Sequence, residues 1–94
     1  MATPADLLQP GGVPIGTAGS SPDIREVAGS LADAMKLFDD LTQGGRDITP
    51  PGYPGKLVEL AGGGVVGLRP ASKSGPPTID VNVPGVAVKK VKFK

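Results

Sequence analysis

The sequence predicts an α+β fold, one N-terminal helix packed on a four-stranded antiparallel sheet. Three observations carry this. One apolar stripe recurs at spacings of three and four over residues 22–43, with helix punctuation at both ends. Four short strand-like runs follow in residues 56–93, each entered from glycine or proline. The connections are short, which makes a meander the default topology. At 94 residues the chain holds one small domain with a modest core.

Residues 1–20 are rich in Pro, Gly, Ala, Ser and Thr and read as a flexible tether. The folded domain is expected over residues 21–94. Ser21 suits an N-cap, Pro22 the first helical position, and Asp23 and Glu26 the positive end of a helix dipole. Ile24, Val27, Ala28, Leu31, Met35, Phe38 and Leu41 then form the stripe, and Gly44-Gly45 ends it. A sheet is the expected cover for that stripe, with a dimer seam as the alternative. Residues 46–55 hold three prolines and two glycines and read as an ordered loop carrying the single tyrosine, Tyr53. That ring serves either as a core anchor or as a phenol or stacking face for a ligand.

The basic part, residues 44–94, supplies the strands. Residues 56–60 and 65–69 flank a glycine turn at Gly62-Gly63-Gly64, which opens no helix and so lacks phosphate-loop geometry. Residues 78–83 alternate cleanly, with Ile79, Val81 and Val83 on one face and Thr78, Asp80 and Asn82 on the other. Residues 86–93 form the last strand, whose alternation slips at Lys89-Lys90 as at a bulge.

Composition narrows the chemistry. There is no histidine and no cysteine, which removes histidine-based triads, thiolate nucleophiles, disulfides and His/Cys metal sites. Residues 1–43 carry six carboxylates against two cations, and residues 44–94 carry eight cations against three carboxylates. That asymmetry favours a polyanion for the basic half, although lysines on an exposed strand also serve solubility. No apolar run reaches membrane-spanning length, so no membrane association is expected. Arg69 with Ser72-Lys73-Ser74-Gly75 groups cations and hydroxyls suited to a phosphate, or makes an ordinary polar loop. Asp80 beside lysines could orient or deprotonate a hydroxyl, or form a structural ion pair. Three carboxylates in the basic half are thin provision for a two-metal site, and no cofactor is expected.

Gly44-Gly45-Arg46-Asp47-Ile48-Thr49, Tyr53-Pro54-Gly55, Val66-Gly67-Leu68-Arg69, Ser72-Lys73-Ser74-Gly75-Pro76-Pro77-Thr78-Ile79-Asp80 and the Lys/Val/Phe ending resemble the C-terminal toxin modules of bacterial polymorphic toxins. These include contact-dependent inhibition effectors and Rhs proteins. The resemblance covers a little over half the chain. It implies a ribonuclease of the barnase, EndoU, colicin E5 and RelE type of fold, secreted within a larger effector, acting in the target-cell cytoplasm and paired with a cognate, acidic immunity protein. Lacking histidine, the chain is closest to the colicin E5 and RelE style. What the resemblance implies is metal-independent RNA cleavage by 2′-hydroxyl attack. Arg69, Lys73, Asp80 and Thr78 would be catalytic, and Arg46, Ser72, Ser74, Tyr53 and Lys90 would bind substrate. A non-catalytic nucleic-acid-binding or adaptor module is the alternative, and a DNase using one metal ion a third.

Overall fold

The computed structural model describes residues 3–70 and 75–94. It is an α+β fold with two α-helices and a seven-stranded mixed sheet, which corrects the expected four-stranded antiparallel sheet and single helix. In chain order the elements are α1 (Pro4–Leu8), a 3₁₀ turn at Pro10–Gly12, β1 (Thr17–Ala18), β2 (Ile24–Val27), α2 (Leu31–Leu41), β3 (Arg46–Asp47), β4 (Lys56–Glu59), β5 (Val65–Arg69), β6 (Thr78–Asn82) and β7 (Lys90–Phe93). The sheet order is β1-β2-β7-β6-β5-β4-β3.

The middle of the sheet, β4 to β7, is an antiparallel meander, with Val66 opposite Val81, Leu68 opposite Ile79, and Ile79 opposite Val91. Alternation puts these β-branched and leucine side chains on one face, where all five are buried. Three further strands extend that meander. β3 adds beside β4, and β1 pairs with β2. β2 pairs parallel with β7, Ile24 opposite Lys90 and Val27 opposite Phe93.

The β2–β7 pairing displaces the expected helix 22–43. Residues 24–27 are strand, and the helix starts at Leu31, nine residues after the expected first helical position at Pro22. Ser30 is its N-cap, where the Ser30 amide donates to the Asp33 carboxylate at 2.8 Å. The buried stripe is therefore Ala34, Phe38 and Leu41, while Leu31 and Met35 are exposed. Thr42 closes the helix, its amide donating to the Phe38 carbonyl. α2 lies across β5, β6 and β7 on their apolar face. The slip at Lys89-Lys90 coincides with a switch of partner, since both amides donate to the Asp23 carbonyl, at 2.8 and 3.3 Å.

The segment 1–20, read as a tether, supplies part of the core. A capping box joins Thr3 and Asp6, with the Thr3 amide donating to the Asp6 carboxylate at 3.0 Å. Leu8 at the end of α1 is fully buried. Gln9 grips the 85–87 turn, accepting from the Ala87 amide at 3.0 Å. The Arg25 guanidinium ties down the next stretch by donating to the carbonyls of Ile15, Gly16 and Pro22. Among the described residues no helix is long and apolar enough to cross a membrane.

Candidate functional site

With α2 on one face of the sheet, the other face carries the polar residues. Register and alternation set them in two rows across the strands. One row runs Leu57, Gly67, Asp80, Lys90 and Ile24; the next runs Arg69, Thr78, Lys92 and Glu26. Of the residues singled out from sequence, Arg69, Asp80, Thr78 and Lys90 fall in these adjoining rows.

Arg69 and Asp80 are diagonal neighbours on β5 and β6. The guanidinium donates from Nε to Asp80 Oδ2 at 2.8 Å and from Nη2 to Asp80 Oδ1 at 3.1 Å. This is a two-point pair with both side chains about one-third exposed, at 34% and 32%. The Asp80 hydrogen bond, opposed only partly by desolvation, raises the Arg69 pKa above its ordinary value. Two of the five guanidinium N–H groups are used, so three remain for another acceptor. Asp80 has both oxygens committed. Its position suits aiming the arginine better than taking a proton from a hydroxyl.

Thr78 is buried, and its hydroxyl donates to the Pro76 carbonyl at 3.0 Å. It fixes the chain entering β6 instead of presenting its proton to the open face. Lys90 stands opposite Asp80, and Lys92 opposite Thr78. Neither lysine has an ion-pair partner among the described residues, unlike Lys94, which bonds Glu26 at 2.8 Å. That bond, together with the charges of Lys94 and Lys92, holds the Glu26 carboxyl below the usual range. Neither Lys92 nor Glu26 is among the site residues expected from sequence, where Lys92 belongs to the lysine run at the C-terminal end and Glu26 reads as an acidic residue at the start of a helix. The signal for Lys92 was present, since it lies two residues from Lys90 and therefore on the same face. Glu26 could be placed only through the parallel β2–β7 register.

Arg46 lies away from this cluster. It sits on the outermost strand opposite Glu59, which it bonds at 3.0 Å, in the row of Val65 and Asn82. That row is at the far end of β5 from Arg69, about 13 Å along the strand. Tyr53 reaches the open face from the loop before β4, half-buried above Gly67. Ser72, Lys73 and Ser74 lie outside the described residues.

A cavity of about 290 Å³ lies on the opposite, helical face, between Met35, Phe38 and Thr42 of the α2 end and Val58 and Leu68 of the sheet. It contains none of the polar rows. The cationic rows form an open surface, the shape a polymer requires, instead of a small-molecule pocket. Among the described residues no three acidic side chains cluster as metal ligands.

Compared with protein-family models, with curated proteins and with solved structures, the chain matches none. The geometry of the open face therefore bears the functional argument.

Proposed function

We propose that the chain is an RNA-cleaving toxin domain whose site is the open face of the sheet around Arg69. The observation that supports it is the Arg69–Asp80 pair flanked by Lys90 and Lys92, which have no ion-pair partner among the described residues, on the face of the sheet opposite α2. A guanidinium held by a carboxylate is already oriented, so little reorganisation is needed when charge builds on a phosphate. In this reading a ribose 2′-hydroxyl oxygen attacks the neighbouring phosphorus and the bond to the 5′-oxygen breaks. The products are a 2′,3′-cyclic phosphate and a 5′-hydroxyl.

Arg69 neutralises the phosphate oxygens through its remaining N–H groups, and Asp80 is its positioning residue. Lys90 and Lys92 hold the polyanion and lower the cost of the doubly charged transition state. Phosphate-binding roles for Ser72, Lys73 and Ser74 rest on their sequence alone. The biological setting that goes with this activity is a larger secreted effector acting in the cytoplasm of a competitor. An acidic immunity protein would cover the same cationic face in the producing cell.

The test is incubation of the purified chain with tRNA in EDTA. Discrete fragments ending in 2′,3′-cyclic phosphate are expected, and Arg69→Ala should abolish them while circular dichroism stays native. A mobility shift without fragments would identify a non-catalytic nucleic-acid binder instead. Cutting of DNA that EDTA abolishes would point to a metal-dependent DNase. Wild-type cleavage rates in Arg69→Ala would remove the site assignment.

A further inference from the structure

The histidine-free face raises the question of which group moves a proton. Tyr53 has the right placement. Its loop is pinned where the Tyr53 amide donates to the Pro50 carbonyl at 3.2 Å. At the foot of the loop, a Cβ on Gly55 would stand 1.9 Å from the Leu68 carbonyl oxygen, so the loop is pressed against the β5 backbone. From there the side chain crosses Gly67. Its hydroxyl oxygen lies 3.5 Å from the point a Gly67 Cβ would occupy.

That point is directly opposite Asp80, and Arg69 is two residues further along the same strand. Opposed Cβ positions are about 5 Å apart and diagonal ones about 7–8 Å. The phenol therefore stands beside the Arg69–Asp80 pair, in a slot left by a missing side chain. The Tyr53 hydroxyl has no hydrogen-bond partner among the described residues and is not fully buried, so the group is open to a ligand.

We propose that Tyr53 is a catalytic residue of this face, its phenol protonating the 5′-oxygen as that oxygen leaves phosphorus. The inference rests on the ribonuclease reading. The 2′-oxygen forms its bond to phosphorus while its proton passes to water. The electron pair of the breaking P–O bond stays on the 5′-oxygen, which takes the phenolic proton, and the phenolate is reprotonated from solvent. Gly67 is the complementary requirement, since a Cβ there would force Leu57 to shift, its Cδ2 lying 2.8 Å from the same point, and a longer side chain would compete with the phenol for the slot.

The test compares wild type and Tyr53→Phe on two oligoribonucleotides. One has an ordinary scissile linkage; in the other, sulfur replaces the 5′-bridging oxygen and leaves as thiolate without needing a proton. Tyr53→Phe keeps the ring and any anchoring or stacking role. The expected result is a loss of about 100-fold or more on the oxygen substrate and a change of no more than a few-fold on the sulfur substrate. An equal loss on both substrates, or no loss on either, overturns the assignment. If the wild type cleaves neither substrate, the ribonuclease reading falls and this assignment with it.

Discussion

Leu8→Ala probes whether the first twenty residues belong to the folded body. Leu8 is fully buried, and its carbonyl accepts the Ile15 amide at 3.0 Å. The substitution removes three carbons, about 2.4 kcal/mol of transfer free energy at about 0.8 per methylene. The incompletely collapsed cavity adds to this, so a loss of about 3–4 kcal/mol is expected. A chain this size holds about 5–14 kcal/mol in total. With a urea slope of about 1 kcal/mol per molar, the midpoint should fall by about 3 M. The control is Val13→Ala, since Val13 is 68% exposed and should change stability by less than about 0.5 kcal/mol. Urea titrations followed by circular dichroism measure both. If the Leu8→Ala midpoint lies within about 0.5 M of the control, the packing of α1 against the core is refuted and the tether reading returns.

Asp80→Asn should slow RNA cleavage by about 10²-fold, since Arg69 loses its orienting carboxylate. It should cost less than about 1 kcal/mol in a urea titration, because the pair is one-third exposed. Lys90→Gln and Lys92→Gln should each reduce the slope of log affinity against log salt by about 0.7 for a single-stranded oligonucleotide, and an unchanged slope would remove that lysine from the binding face. Acid sensitivity follows from the lowered carboxyl groups: Glu26 held by Lys94, Asp6 by the Thr3 amide, Asp23 by the Ser21 hydroxyl and Asp47 by the Thr49 hydroxyl. A folded pKa below the ordinary 3.8 or 4.5 gives stability that is complete above those values and lost as pH falls through the folded ones. Urea midpoints should therefore be level above about pH 5 and drop below about pH 4, with a shallower drop in Glu26→Gln.

The four central strands were legible because each is a short run entered from glycine or proline, and residues 78–83 alternate cleanly. The outer strands gave no such signal. Ile24 and Val27 are three apart, a spacing that fits a helix, and Pro22 stood where a first helical residue belongs. What makes them strand is a ladder to residues 90–93, a partner 66 positions away. Tertiary pairing overrode local pattern there, and the helical stripe moved to Ala34, Phe38 and Leu41 as a result. In α1 the Thr3–Asp6 cap was readable, but five residues among prolines and glycines carried too little periodicity to register. At the candidate site, alternation alone placed Asp80 on the polar face. That Asp80 holds Arg69 follows from the β5–β6 register, and the position of Tyr53 follows from the glycine beneath it.

The parallel run of β2 beside β7 has a mechanical consequence. The chain enters this pair at Ile24 and leaves it at Phe93, at opposite ends of two strands pointing the same way. Tension applied along the chain on either side would load the ladder in shear, with its hydrogen bonds sharing the force instead of parting one by one. Any machine that threads this domain through a pore by pulling on both flanks would meet its greatest resistance at residues 24–27 and 90–93. A puller acting only from the N-terminal side would first peel α1 and β1 away, and would reach that clamp after the Leu8 contact had gone.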